Sequence, residues 1–360
     1  LTQNDKQFHI LITSDLHFDD TELNSYRFKI FNFLELVIKK YSVKRLFILG
    51  DLTDKKDKHS STLVNNIVYG LNRLSELCEI YILTGNHDYI EYSEPYFLFL
   101  NNFPKIFFIS QVETVEDEHF GKILMIPHRR SPKQLKSIGN FFMPKSRIGL
   151  VVMHQTVTGS ITSNGTRIDG IDVEQFENIP VPIVSGDIHV PQVVGNVKYV
   201  GSPYAINYGD TFIPRVLLMS LWREIEVYPN IISKKLVTIE SVNDLEVMIS
   251  KSRILIMNEN ISDPTGLINS ECRVKIRFQI QKRDLSEWSI YKQKILTLCD
   301  DNNINLRGLE LVVIGEENMS DIDKEVILCL PDRDKTFDLF CEHGNVGSDL
   351  KKIGKNLLNV

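Results

Sequence analysis

Five short apolar runs in this chain each end on Asp, Asn or His: ILITSDLH with Asp15 and His17, LFILGDLTD with Asp51, YILTGNHD with Asn86 and His87, LVVMH with His154, and IVSGDIH with Asp187 and His189. Four to seven apolar residues bounded by Gly or turn residues fit buried strands of a mostly parallel sheet. In open α/β sheets the functional crevice lies beyond the carboxyl ends of the strands. The pattern therefore predicts that five strand ends converge on one site rich in Asp, His and Asn. Taken singly, these residues have plainer readings: Asp51 could cap a helix, and His154 could be a satisfied core histidine. Their recurrence on every one of the five runs argues against that reading for the set.

Between the runs the period changes. Leu23, Ile30, Leu34, Val37, Ile38 and Tyr41 recur at helical spacing after Asp19 and Asp20, either of which suits a cap. Leu63, Ile67, Leu71, Leu74 and Leu77 mark a second amphipathic helix. This β-α-β-α-β order requires a mostly parallel sheet with right-handed crossovers. KIFFIS, VETV and KILMIP, within 105–126, predict added antiparallel strands. The stretch QTVTGSITSNGTRIDGID after His154 reads as a long loop facing a substrate, with a plain surface excursion as the alternative. VVGNVKYVGSP reads as a hairpin turning on Gly195-Asn196. RVLLMSLW closes the first domain, and EIEVYPNIISKKL reads as a connector.

At 360 residues, two or three domains are expected. Residues 236–315 have the texture of a small separate α/β domain. In it CRVKIRFQI alternates Val274, Ile276, Phe278 and Ile280 with Arg273, Lys275, Arg277 and Gln279. The polar set is a solvated strand face or a phosphate-contacting strip. The tail over 316–360 ends in a short amphipathic helix, capped by Ser348, with Leu350, Ile353, Leu357 and Leu358 on one face. That stripe would dock on its own domain or on a partner. Helix faces that could pair two copies in a homodimer are indistinguishable from core at this level.

The formal charge is −6, and neither half of the chain carries a surplus of Lys and Arg over Asp and Glu. A nucleic-acid role would have to rest on local residues, Lys55, Lys56, Lys58, Arg129 and Arg130 being the candidates. The five cysteines are odd in number and lack C-x-x-C spacing, which argues for a reducing compartment and against thiolate metal sites. No apolar run nears the roughly 18 residues that would suggest a membrane span. The opening LTQNDKQ is not a signal peptide, so the expected location is cytoplasmic.

An oxygen and nitrogen donor set without Cys suits Mn²⁺, Fe or Zn²⁺. Seven candidate ligands, Asp15, His17, Asp51, Asn86, His154, Asp187 and His189, exceed what one ion needs and fit two. Asp51 is the best bridging carboxylate, and two such ions sit roughly 3.5–4 Å apart. His87, next to Asn86, is placed to donate a proton to a leaving oxygen. The chemistry is in-line hydrolysis of a phosphoester. His128 and His59 read as loop residues, and His9, His119 and His343 carry no signal.

DLH, GDLTD, GNHD, VVMH and GDIH, in that order, resemble the motifs of the calcineurin-like metallophosphoesterase superfamily. More narrowly, GDIHVPQ followed by YVGSPY resembles the SbcD-type nuclease subunits of double-strand-break repair. The resemblance implies an α/β fold: a metallophosphoesterase β-sandwich flanked by helices over 1–228, a capping domain over 236–315 that shapes DNA access, and a helical tail over 316–360 that binds an SMC-like coiled-coil ATPase. It implies one Mn²⁺ held by Asp15, His17, Asp51 and His189 and another by Asp51, Asn86, His154 and Asp187, with His87 catalytic. The implied activity is a 3′→5′ exonuclease on double-stranded DNA and an endonuclease on single strands. A phosphodiesterase or phosphatase for a small molecule or phosphoprotein, and a non-catalytic scaffold of the same fold, are the alternatives. Two residues depart from the pattern: Asp187 stands where it has His, and Asp54 where related nucleases often carry His.

Overall fold

The computed structural model describes residues 9–90, 94–128, 147–221, 223–231, 233–259 and 272–314. The chain divides into two compact units, Leu1–Lys235 and Leu236–Val360. In the first unit the strands in chain order are β1 (Ile10–Thr13), β2 (Arg45–Ile48), β3 (Glu79–Leu83), β4 (Ile106–Ile109), β5 (Glu113–Asp117), β6 (Gly121–Ile126), β7 (Ile148–His154), β8 (Ile183–Gly186), β9 (Gln192–Val194), β10 (Val197–Tyr199), β11 (Val216–Met219) and β12 (Glu224–Val227). They form two six-stranded sheets, ordered β12-β11-β1-β2-β3-β4 and β5-β6-β7-β8-β10-β9. β1 to β4 run parallel, with β11 antiparallel to β1 and β12 antiparallel to β11. In the second sheet β6, β7, β8 and β10 run parallel, and β5 and β9 are antiparallel edges.

The period of two along each strand sorts residues between layers. Ile10 and Ile12 point into the space between the sheets, with Phe47, Leu49, Tyr81 and Leu83 from the first sheet and Ile123, Met125, Leu150, Val152 and Val184 from the second. Leu11, Leu46, Ile48, Ile80 and Ile82 point the other way, onto helices α1 (Lys29–Tyr41) and α2 (Ser61–Ser75). Those helices present Ile30, Phe31, Leu34, Val37 and Ile38, and Leu63, Ile67, Leu71 and Leu74. Ser60 caps α2 by accepting from the Leu63 amide at 3.1 Å. Each fully buried Leu or Ile contributes about 1.5–3 kcal/mol by leaving water.

Several expectations are corrected. KIFFIS is β4 and runs parallel to β3, because the chain between them makes a third crossover on the helical side, where a 3₁₀ turn (Tyr96–Asn102) buries Phe97 and Leu100. KILMIP is β6, antiparallel to β5 but parallel to β7. The segment read as a connector contains edge strand β12. The glycine-rich loop after β7 is ordered: Val157 and Ile171 form a bridge, and both pack with Phe176 and Ile179 on the outer face of the second sheet. This loop takes the place that helices occupy on the first sheet.

The second unit has a three-stranded sheet, β13 (Lys234–Ile239), β14 (Arg273–Gln281) and β15 (Leu306–Ile314), in the order β13-β14-β15, with helices α3 (Val242–Glu259) and α4 (Trp288–Asp301). On β14, Val274, Ile276, Phe278 and Ile280 are buried, while on the opposite face Arg277 pairs with Glu310 at 3.0 Å. The tail expected over 316–360 lies outside the described residues. Among the described residues no helix is long and apolar enough to cross a membrane.

Ile12→Ala, emptying a fully buried position between the sheets, is expected to cost about 2–5 kcal/mol in urea denaturation. Leu36→Ala, at a residue 68% exposed, is expected to stay within about 0.5 kcal/mol of the parent.

Candidate metal centre

The carboxyl ends of β1, β2, β3, β7 and β8 meet at one place, and glycine makes the close approach of their loops possible. A Cβ on Gly85 would lie 2.1 Å from Asp51 Oδ1, one on Gly186 would lie 2.0 Å from Ser14 Oγ, and one on Gly50 would lie 2.3 Å from His154 Nδ1. Beyond the strand ends the chain turns sharply. Asp15, His17, Asp51 and Asp187 have φ of 53°, 43°, 52° and 83°. Such left-handed residues cost on the order of 1–3 kcal/mol each and cluster at functional sites. The turns are locked by backbone bonds, His17 N to Asp51 O at 2.9 Å and Phe18 N to Leu52 O at 3.0 Å.

All seven candidate ligands are brought together. His17 Nε2 lies 3.0 Å from His189 Nε2 and 3.5 Å from Asp51 Oδ2. His154 Nε2 lies 3.5 Å from Asp51 Oδ1 and 3.5 Å from Asp187 Oδ1. Asp51 therefore turns one oxygen toward each histidine. Asp15 accepts from the Asp187 amide at 3.2 Å, and its donor atoms group with His17 and His189 on one side and with Asp51 and His154 on the other. The Asn86 side chain reaches His154 Nε2 at 3.2 Å, and with its nitrogen turned inward donates to both oxygens of Asp51 at 2.9 and 3.0 Å. His87 is anchored through its amide to Asp51 Oδ1 at 2.8 Å, and its Nδ1 donates to the Asp54 carbonyl at 2.7 Å.

These residues fit divalent cations. Asp15 Oδ2 is buried without a hydrogen-bond partner. The Nδ1 of His17 faces the Asp54 carboxylate at 3.5 Å, which favours the Nδ1–H tautomer and leaves the Nε2 lone pair, 3.0 Å from His189 Nε2, available as a ligand. A cation would supply the partner that Asp15 Oδ2 lacks. Electrostatics agree in direction. Burial raises Asp15 to about 6, with Asp51 adding to the shift. Burial also raises Asp51, with Asp88 adding to it. Burial lowers His17 to about 3, so it is neutral and able to ligate. His154, despite burial, is held well above its ordinary value by Asp51, Asp187 and Asp15, so its proton does part of what a cation would do. Burial would raise Asp187, but the His154 hydrogen bond brings it down to about 2.

Residues that the sequence left without roles build the frame. Asp88 is buried and accepts from three amides, Gly85 at 2.7 Å, Leu52 at 2.9 Å and Asp51 at 3.0 Å. Buried Arg27 donates to the His17 carbonyl, and Thr156 donates to Asp187 Oδ2. Ser202 bonds the Asp15 carbonyl at 3.1 Å, and Tyr204 the Leu16 carbonyl, so the GSPY segment clamps the first ligand loop. Asp88 stood in plain view inside GNHD; no spacing pointed to Arg27 or Thr156. The ring of His128, expected in a loop, lies 6.1 Å from that of His154, with Nδ1 bonded to Tyr89 OH at 2.9 Å. Lys55, Lys56 and Lys58 are exposed on the loop leaving Asp51, and Lys55 pairs with Asp20 at 3.2 Å. Arg129 and Arg130 lie outside the described residues.

Residues 8–191 match the calcineurin-like phosphoesterase family. Over 229 residues the chain is 22% identical to the phosphoesterase 244L of Invertebrate iridescent virus 6, spanning 61% of this chain and 79% of the viral protein. In structure it is similar to the nuclease MPE of Pseudomonas putida, with 12% identity and a TM-score of 0.30 over 61% of this chain and 87% of that one.

A carboxyl raised in the folded state holds its proton more tightly folded than unfolded. The stability it gives is complete below the unfolded value near 4 and is lost as pH rises through about 6 for Asp15 and beyond for Asp51. The chelator-treated protein is expected to lose thermal stability from this pair between roughly pH 4 and pH 7, and saturating Mn²⁺ is expected to reverse that loss, with protons released on binding. Calorimetric titrations in buffers of different ionisation enthalpy measure the release.

Proposed function

Because this chain belongs to the calcineurin-like phosphoesterase family, we propose that it is a metal-dependent phosphodiesterase whose substrate is DNA, the nuclease subunit of a complex with an SMC-like coiled-coil ATPase. On this reading it degrades duplex DNA from 3′ ends and cuts single strands. The observation that carries the two-ion part is Asp51, whose Oδ1 faces His154 and whose Oδ2 faces His17, each at 3.5 Å. A single carboxylate between two donor groups is the arrangement a bridged ion pair requires. The DNA part is supported by the likeness of GDIHVPQ and YVGSPY to SbcD-type subunits and by three exposed lysines beside the site.

Asp15, His17, Asp51 and His189 would hold one ion, and Asp51, Asn86, His154 and Asp187 the other. When bound, two divalent ions supply the positive charge that stabilises a pentavalent phosphoryl group and eases deprotonation of an attacking water. The chain's own residues do the rest. The Asp54 carbonyl accepts the His87 Nδ1 proton, which fixes the ring and leaves Nε2 to pass a proton to the leaving oxygen. Asp88 holds the Asn86–His87 turn against Asp51 through its three amide bonds. Asp187 adds a negative charge where the resembled pattern has a neutral His. That extra charge would temper the acidity of an ion held there, which would suit Mn²⁺ better than a tightly held Zn²⁺. Residues 236–315 would shape DNA access, and the tail would bind the ATPase.

With Mn²⁺ and the ATPase present, linear duplex DNA labelled at either end is expected to shorten from its 3′ termini, and His87→Ala to abolish cleavage while keeping metal. Turnover of a chromogenic phosphodiester without any DNA cleavage would instead assign a small-molecule substrate. Replacing Lys55, Lys56 and Lys58 together by Ala is expected to reduce the slope of log affinity against log salt by up to about 2.7 if each meets one duplex phosphate. An unchanged slope in fluorescence anisotropy would remove that loop from the DNA interface.

A further inference from the structure

A second group of metal-type donors sits at the opposite pole of the sandwich. His9 directly precedes β1, whose far end carries Asp15, so about six residues at 3.3 Å each put the two places roughly 20 Å apart. Glu118 and His119 lie in the turn between β5 and β6 of the other sheet. The His9 and His119 rings stack with centroids 3.5 Å apart, and His119 Nε2 lies 3.0 Å from Glu118 Oε1. One donor atom from each of the three residues falls within 4.8 Å of the other two.

The second observation is His9 itself. It is 91% buried, its Nδ1 has no hydrogen-bond partner, and it lines a cavity of about 450 Å³ with His119 and Glu118. A buried imidazole nitrogen left unsatisfied is a penalty that a ligand in the cavity would remove. The turn is held in place from below: Asp117 Oδ1 accepts the His119 and Phe120 amides at 2.9 Å each. Arg45, also in the cavity wall, is committed to Glu79 at 2.9 Å and to Asp117 at 2.7 Å.

We propose that His9, Glu118 and His119 form a separate binding site for a borderline divalent ion, Zn²⁺ foremost, which ties the first strand of one sheet to the β5–β6 turn of the other. The choice of ion follows from the surroundings. Glu79, Asp117 and Glu118 in the cavity wall are balanced by Lys44, Arg45 and Lys105, so affinity rests on imidazole lone pairs more than on a net negative field, which favours Zn²⁺ over Mg²⁺, Ca²⁺ or Mn²⁺. Tetrahedral bonds of about 2.0–2.1 Å place donors roughly 3.3 Å apart. Binding therefore opens the stack, by rotation of His119, whose side chain is 33% exposed, while Glu118, 76% exposed, swings in. The remaining position is filled by water from the cavity. The site does not depend on the strand-end centre.

The test counts ions on the tag-free 360-residue chain after chelator treatment. In equilibrium dialysis against Zn²⁺, the unaltered chain is expected to hold one equivalent more than His119→Gln, and Glu118→Gln to bind that equivalent at least tenfold more weakly. Matching urea midpoints in chelator show both variants folded; if His119→Gln does not fold, Glu118→Gln decides. In an Asp51→Asn background, Zn²⁺ is expected to raise the melting temperature, and adding His119→Gln to remove the rise. Equal equivalents in the unaltered chain and His119→Gln, or in Glu118→Gln an undiminished affinity, would overturn the site. Loss of the strand-end ions alone, with this equivalent retained, would count against the phosphodiesterase reading and not against this one.

Discussion

Contact between the two sheets at their carboxyl ends is the constraint on which everything else here depends. Side chains on Gly50, Gly85 and Gly186 would collide with His154, Asp51 and Ser14 from neighbouring strand ends. The Gly50 and Gly186 clearances lie between the sheets, across which Asp51 from the first and His154 from the second are 3.5 Å apart, whereas the Gly85 clearance packs neighbouring strand ends of the first sheet. Stacked sheets are ordinarily separated by about 10 Å, so it is the strand ends and the loops beyond them that bring carboxylates and imidazoles from both within one coordination shell.

That closeness has an electrostatic cost, met by local structure. Asp15 and Asp51 are buried near each other, an arrangement unfavourable for two negative charges. Part of the compensation is internal: the amides of Asp187 and His87 point at Asp15 and Asp51, and His154 keeps a proton between Asp51 and Asp187. Asp88 sits behind, a third buried carboxylate saturated by three amides, and it freezes the two loops against each other. The residual imbalance is what makes the place a receptor for cations.

Much of this was legible in the sequence, for a physical reason. A strand buried on both faces must be an unbroken apolar run, so a polar residue at its end stands out, and the residues at the ends of the five runs all reach the site. Strand direction was less legible. KIFFIS has the same apolar content whichever way it pairs, and its parallel place beside β3 follows a 3₁₀ crossover whose buried Phe97 and Leu100, three apart, are hidden within the continuous apolar run YFLFL. Arg27 and Thr156 were invisible because their partners, the His17 carbonyl and the Asp187 carboxylate, are set by tertiary approach alone. The pairing of His9 with His119 joins residues from different sheets, and no spacing along the chain announces it.

The pairing of β1 with β11 bears on the order of events during synthesis. β1 to β4 are complete by Ile109, but β1 remains an outer strand until Val216–Met219 arrive on its other side. At about 5–20 residues per second, that interval lasts some 5–20 s on the ribosome. Throughout it a row of bare backbone donors and acceptors lies open along the strand that leads to Asp15, the kind of surface on which nascent chains stick to one another. The half-made protein is thus most exposed along the strand that its finished form buries most completely, and chaperone dependence should concentrate in that window.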